Sequence, residues 1–537
     1  MSEPIGSIVS VSGHSVQGVI MVPAGLNPTN DMARVARMGS LVRIETPAST
    51  VYGLITSLEL RANASVSEYG LEAVATIDLL GEMLPGKTPN DWRFQRGVSV
   101  YPVLGSPVAL ADIEELARIY SRPSAPSIRI GMLQQNMSVP AFVKINEMLG
   151  KHFSVLGTTG SGKSSTVVLL LSAILDNLPR AHIVLIDPHD EYSRSFGSLA
   201  EVINSDNLKL PYWFMNHEEV CEILCSKGSS TTDAERLILK EAITEARRLY
   251  LGENSALIPN VDTPTPYRIQ QCYKLIEDAM GKLEKAEGLQ AYLRLLTRID
   301  SLRNDNRYSF MFSGLSVTDN MELILRRILR RPVEGKPITI INMAGVPSEV
   351  SDVVISFVCR TIFTVGVWAP DPKVAPVLLV CEEAHRYVPK DVGTGFEPTR
   401  KAIAAIAKEG RKYGISLGLI TQRPSEISES ILSQCGTIFA LRMSNDKDQT
   451  FIKHALPEGS DGFIKILPTL RTQECVVVGE GVEMPVRAKL DDLPAERRPR
   501  SDTADFATVW KAGEEDDKSL TQTIDNWRRQ TKWHGTT

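Results

Sequence analysis

The run Gly157-Thr158-Thr159-Gly160-Ser161-Gly162-Lys163-Ser164 constrains this 537-residue chain more than any other feature. It follows a short apolar stretch at 153–156 and precedes a helical pattern over 164–175, so it reads as strand, glycine-rich turn and helix. That is the setting a phosphate-binding P-loop requires. Glycines let backbone N–H groups wrap phosphate oxygens, the helix N-terminus adds its positive end, and Lys163 supplies a fixed cation. Gly157, Thr159, Gly160, Ser161, Gly162, Lys163, Ser164 and Ser165 are the expected nucleotide contacts, with Ser164 also a ligand of Mg2+. ATP and Mg2+ are the expected cofactors, and ATP hydrolysis is the expected reaction.

A second apolar strand, 377–380, ends in the adjacent carboxylates Glu382 and Glu383. At the C-terminal edge of a parallel sheet the first carboxylate can hold Mg2+ and the second can polarise the attacking water as catalytic base. Gln422, just past the strand expected at 417–420, stands where an amide can sense the γ-phosphate. Arg411 lies between an Ala-rich helix and that strand, and two readings stay open. It caps the helix C-terminus, or it acts as a catalytic arginine finger in a neighbouring subunit, in which case hydrolysis requires assembly. Asp187 either faces the nucleotide or caps the turn that follows its strand. The loop 390–395, leading to Arg400 and Lys401, is either a phosphate-touching pore loop or an ordinary exposed one.

The length exceeds what one core usually serves, so several domains are expected. Short β segments at 7–11, 16–22, 41–44, 51–60, 71–77 and 98–104, with Gly6, Gly18, Gly53 and Gly97 as bends, predict an N-terminal β-barrel over 1–120. Continuously apolar strands separated by helices predict an α/β RecA-like P-loop ATPase core at 128–191 and 333–490. Helical periodicity between them predicts an inserted helical bundle at 192–332, with Thr232 and Glu235 as a capping box, and the remainder, 491–537, reads as a C-terminal tail. No apolar run approaches the roughly 18 residues that span a bilayer, the longest candidate being near 167–175, so no membrane role and a cytoplasmic location are expected. Seven cysteines form no disulfide or zinc pattern, and a net charge of −5 leaves room only for a local basic surface toward nucleic acid.

Taken in order, GTTGSGKSS, DPHDEY, VLLVCEEAHRYVP, KEGRKYG and LITQRPSEIS resemble the HerA family, within the hexameric DNA-pumping ATPases that include FtsK. The resemblance implies a homohexameric ring that translocates double-stranded DNA, with Lys163, Ser164, Glu382, Glu383, Gln422 and Arg411 in the roles above. It further implies that the tail braces neighbouring subunits, that Lys151 approaches the nucleotide, and that a nuclease or NADase-type effector works alongside, in DNA end processing or defence against phage. An alternative of a different class is a hexameric ATPase scaffold that assembles and regulates an effector, with DNA movement secondary. Trp527 and Trp533, in an otherwise polar tail, suit such docking.

Overall fold

The computed structural model describes residues 3–22, 36–60, 71–85, 92–226, 228, 231–283, 288–312, 317–371, 373–391, 393–455, 461–499, 506–512 and 517–529. Trp533 and Val392 of the loop 390–395 lie outside the described residues.

Seven strands form the N-terminal sheet: β1 (Pro4–Ser12), β2 (Ser15–Val22), β3 (Leu41–Glu45), β4 (Thr50–Leu60), β5 (Leu71–Pro85), β6 (Trp92–Arg96) and β7 (Pro107–Leu110). Their order is β2-β1-β7-β3-β4-β5-β6, and a further β2–β5 pairing closes six of them into a barrel, with β6 added on β5. Ile8, Ile20, Ile44, Ile55 and Ile77 fill it. The segment expected as a strand at 98–104 is a loop: Gly97 turns the chain with φ 85°, and buried Glu82 pins the loop by accepting from Ser99 N and Oγ. Gly6 and Gly53 are not bends either. They lie within strands, where a Cβ would come 2.1 Å from Val19 O and 2.5 Å from Ile77 Cγ2 respectively.

The second sheet carries eleven strands: β8 (Ser127–Leu133), β9 (Pro140–Lys144), β10 (Phe153–Leu156), β11 (His182–Asp187), β12 (Ala200–Ile203), β13 (Ile338–Asn342), β14 (Val377–Cys381), β15 (Ile415–Thr421), β16 (Thr437–Ala440), β17 (Glu474–Gly479) and β18 (Val486–Leu490). From β12 through β13, β11, β14, β15 and β10 to β16 every pairing is parallel; β17, β18, β8 and β9 then continue the sheet antiparallel. The expected barrel and α/β P-loop core are both present. One strand breaks the expected pattern, since β12 lies inside 192–332 yet joins the core sheet beside β13. Four residues are too few for alternation to stand out from helical spacing.

Helices Thr232–Leu251, Ile269–Met280 and Leu289–Asn304 pack on one another beyond β12. The capping box expected at Thr232 and Glu235 is replaced: Glu235 accepts from Ser226 N and Thr231 Oγ1, and Thr232 Oγ1 donates to Ser226 O. Helix Ser348–Trp368 is, against expectation, long and apolar enough to cross a membrane. Here 61% of its most apolar window is buried inside the protein, and Arg360 on it lies 2.9 Å from Glu219, so it serves as a core helix. Its polar residues Glu349, Asp352 and Arg360 interrupt the apolar run in the sequence.

Glu219 is fully buried and also accepts from Ser356 Oγ at 2.9 Å, while Arg360 donates to Phe214 O and lies over the Phe357 ring. This group ties the helical region to the core. Removing one partner of a buried pair strands the other charge, so Arg360→Ala is expected to lower stability by about 3 kcal/mol. Denaturant unfolding of the full chain measures it, and a loss within error of zero would show the pair to be idle.

Candidate active site

The C-terminal ends of β10, β14 and β15 lie side by side, because Leu156 pairs with Thr421 and Cys381 with Leu419. Every group considered below leaves the sheet at this edge, except Arg411 and Lys151.

The loop after β10 is closed on itself: Thr158 N and Oγ1 both donate to Arg442 O at 3.0 Å, and Ser161 N donates to Thr158 O. Gly160 and Gly162 have φ of 74° and 101°, which a side chain would strain, and a Cβ at Gly157 would come 2.7 Å from Ser161 Oγ. Helix Lys163–Asn177 follows with no side-chain cap, so its first N–H groups remain open to an anion. Lys163 is almost fully buried and donates to Thr158 O at 3.4 Å. Gly157 and buried Ser161 build the loop rather than line the cavity; Thr159, Gly160, Gly162, Lys163, Ser164 and Ser165 line it.

Glu382 and Glu383 face that loop from the end of β14. Tyr192, itself fully buried, donates to Glu382 Oε2 at 2.6 Å. Burial pushes the Glu382 carboxyl up to about 8; the Tyr192 hydrogen bond and, more weakly, Lys163 oppose this, while the negative charges of Glu191 and Glu383 add to it. Glu383 holds a left-handed backbone, φ 52°, unusual for a residue with a side chain. Its Oε1 accepts from Gln422 Nε2 at 2.7 Å, and Gln422 Oε1 accepts from Thr159 Oγ1 at 2.5 Å. Its Oε2 lies 3.2 Å from His385 Nδ1, but that nitrogen is engaged with Thr421 Oγ1, and burial keeps the imidazole below its usual range and neutral. Glu383 Oε2 is therefore buried with no hydrogen bond among the described residues, an acceptor without a donor.

Glu191 and Tyr192 escaped the reading of individual residues. Asp187, at the end of β11, accepts from the backbone N–H of His189, Glu191 and Tyr192 and is fully buried. Burial raises its pKa to about 6 although the three N–H groups oppose this, so of its two readings the turn cap is the one the geometry takes. That turn presents Glu191 to Ser164, whose Oγ donates to Glu191 Oε2, and Tyr192 to Glu382. The sequence signal was the DPHDEY motif itself.

Arg411 is exposed in the turn Gly410–Tyr413, at the N-terminal end of β15, whereas Gln422 follows its C-terminal end. Seven extended residues put roughly 20 Å between them. Arg411 is thus not brought to this chain's own site. Lys151 precedes β10 at the same far edge and pairs with Glu480 at 2.5 Å, so it does not approach this chain's own P-loop. Arg400 and Lys401 are engaged by Glu397 and Glu218.

Residues 128–362 match the family model described as "Helicase HerA, central domain". This span is similar to the HerA central domain. Along 481 residues the chain is 24% identical to "DNA double-strand break repair helicase HerA" of Pyrococcus furiosus, covering 81% of this chain and 82% of that protein. It is 27% identical over 518 residues to the protein of the same name from Sulfurisphaera tokodaii, covering 92% and 96%. Among solved structures, VirB4 of Thermoanaerobacter pseudethanolicus superposes with a TM-score of 0.49 at 17% identity, covering 70% of this chain and 98% of that one. The matched span contains the P-loop and the 187–192 turn; Glu382, Glu383 and Gln422 lie beyond it and complete the same cavity.

Because folded Glu382 keeps a proton up to about 8 that an ordinary carboxyl loses near 4.5, the metal-free fold loses stability as pH rises between those values. Glu382→Gln is expected to remove that part of the decline. Unfolding of both proteins in chelator across this range measures it, and parallel profiles would refute the assignment.

Proposed function

We propose that this chain is an ATP hydrolase that assembles into a homohexameric ring and translocates double-stranded DNA in the cytoplasm. The observation that carries the reading is the convergence of Lys163, Ser164, Glu383 and Gln422 on one cavity, with Arg411 exposed at the opposite edge of the same sheet. The donor set fits ATP with Mg2+: a loop whose glycines leave room for phosphate, an uncapped helix N-terminus, one buried ammonium, and a hydroxyl facing two carboxylates. Lys163 and the loop would hold the phosphates, while Ser164 and Glu382 would hold Mg2+, which would supply charge neutralisation at the phosphates. Ser164 exchanges its bond to Glu191. Gln422 lets go of Glu383 and turns to the γ-phosphate, and Glu383 Oε2 accepts a hydrogen bond from the attacking water as general base. Arg411 of one subunit steadies the charge in the site of the next. The relatives' name, a double-strand break repair helicase, supports duplex DNA as the substrate that moves. A partner nuclease or NADase-type effector, in end processing or defence against phage, completes this reading.

A scaffold that gates an effector is the second reading, favoured by Trp510 and Trp527, which stand 77% and 75% exposed on the tail helices Phe506–Ala512 and Asp517–Arg529.

Steady-state ATP hydrolysis separates the two. For a translocase, linear duplex DNA raises the rate and added salt abolishes the gain; for a scaffold, only a partner protein does. Glu383→Gln is expected to lower the rate on the order of 100-fold or more while ATP still binds. Arg411→Ala should abolish hydrolysis in pure rings and, mixed with wild type, suppress it more than dilution does; activity retained by pure Arg411→Ala rings would remove the finger.

A further inference from the structure

The cavity that holds the P-loop extends past it. Its lining also takes in Leu169, one turn beyond Ser165 along the helix, and, from two other pieces of chain, Gln473, Leu490, Leu493, Arg498 and Pro499, with Thr472 and Asp491 beside them. None of these belongs to the phosphate machinery. Leu490 and Leu493 are nearly buried, and with Leu169 and Pro499 they give the cavity an apolar stretch of wall.

The two pieces of chain that build this wall are held in place by other contacts. Gln473 O accepts from Leu490 N at 2.9 Å, Asp491 pairs with Arg129 at 2.8 Å, and Arg497 reaches Asp176 at 3.5 Å. Arg498 Nε donates to Leu493 O at 3.2 Å, which closes the 493–498 turn and leaves the two terminal guanidinium nitrogens for another partner. Gln473 has a φ of 66°, a left-handed backbone that glycine adopts without strain, and its backbone packs on Gly162, where an added Cβ would lie 3.6 Å from Gln473 N. Its amide makes no hydrogen bond among the described residues, although it lines the cavity. A side chain kept at a position that favours glycine, beside the phosphate loop and with its donor and acceptor unused, points to a ligand.

Resting on the reading of this cavity as the ATP site, we propose that the Gln473 turn and the 490–499 strap form the nucleoside-recognition site. The apolar wall takes the flat face of a purine base, the Gln473 amide reads the base edge by donating and accepting, and the Arg498 guanidinium lies against the ring. A nucleoside attached to phosphates on the P-loop has this wall next to it.

Titration calorimetry of the full chain with ATP and with inorganic tripolyphosphate tests this. Wild type is expected to bind ATP at least tenfold more tightly than tripolyphosphate. Gln473→Gly and Arg498→Ala should bring ATP down toward the tripolyphosphate value and leave tripolyphosphate binding unchanged. The glycine variant should unfold at the same temperature or higher, because it relieves strain, so that lost affinity cannot come from misfolding. ATP binding unchanged in both variants would overturn the inference while tripolyphosphate binding keeps the phosphate site intact. A loss of tripolyphosphate binding in Arg498→Ala would reassign that residue to the phosphates and equally overturn it. Failure of wild type to bind either ligand would instead remove the ATP reading on which the inference stands.

Discussion

Parallel strands that share a register also share an edge, and in this molecule that edge decides what can meet. With Leu156 beside Thr421 and Cys381 beside Leu419, the loops after β10, β14 and β15 emerge at one level. A shift of two residues in β14 would carry Glu382 and Glu383 roughly 7 Å along the sheet, out of reach of Gln422 and the P-loop. What resists such a shift is burial on both faces: β10, β14 and β15 are buried at every position. Sliding any of them would disturb packing above and below the sheet together.

The other parts of the chain are fastened to this slab by a few contacts. Leu41, Tyr52 and Leu54 of the barrel join the core of the large sheet, Arg96 donates to Gly479 O, and helix Asp461–Ile466 lies so close to β4 that a Cβ on Gly462 would overlap Thr56. On the other side, Glu219 and Arg360 join the helical region to helix Ser348–Trp368. Arg247, almost fully buried, donates to the carbonyl oxygens of Trp213, Asn260 and Val261 and so gathers three stretches of that region. These are directional contacts in dry surroundings, where a misplaced partner is costly.

Much of this was legible in the sequence, and where it was not the reasons are physical. The strands β10, β11, β13, β14, β15 and β17 are runs of apolar residues because both their faces are covered, and such runs need no tertiary information to be seen. The loop at 157–164 announces itself because its backbone demands glycine at defined places. β12 was hidden by its shortness, and helix Ser348–Trp368 by three charged residues, of which Arg360 finds its partner in Glu219, far away in sequence. The partners Glu191 and Tyr192 depend on how Asp187 folds the turn between them, and a carboxylate that accepts backbone N–H groups looks in sequence like any other Asp. Arg411 is legible in sequence as lying between a helix and a strand, but only the length of β15 shows which edge of the sheet it occupies. The wall from Gln473 to Pro499 was the least visible, since its signal is a φ angle and a cavity rather than a pattern of residue types.

The site's groups are bonded to one another: Thr159 to Gln422, Gln422 to Glu383, Ser164 to Glu191, Tyr192 to Glu382. An incoming nucleotide therefore trades existing hydrogen bonds for new ones. The heat released by the new contacts is largely offset by the heat absorbed in breaking the old, and the net affinity comes from charge and from expelled water more than from the number of bonds formed. A substitution that removes one of these internal partners therefore alters two balances at once, the bond lost and the bond that no longer has to be broken.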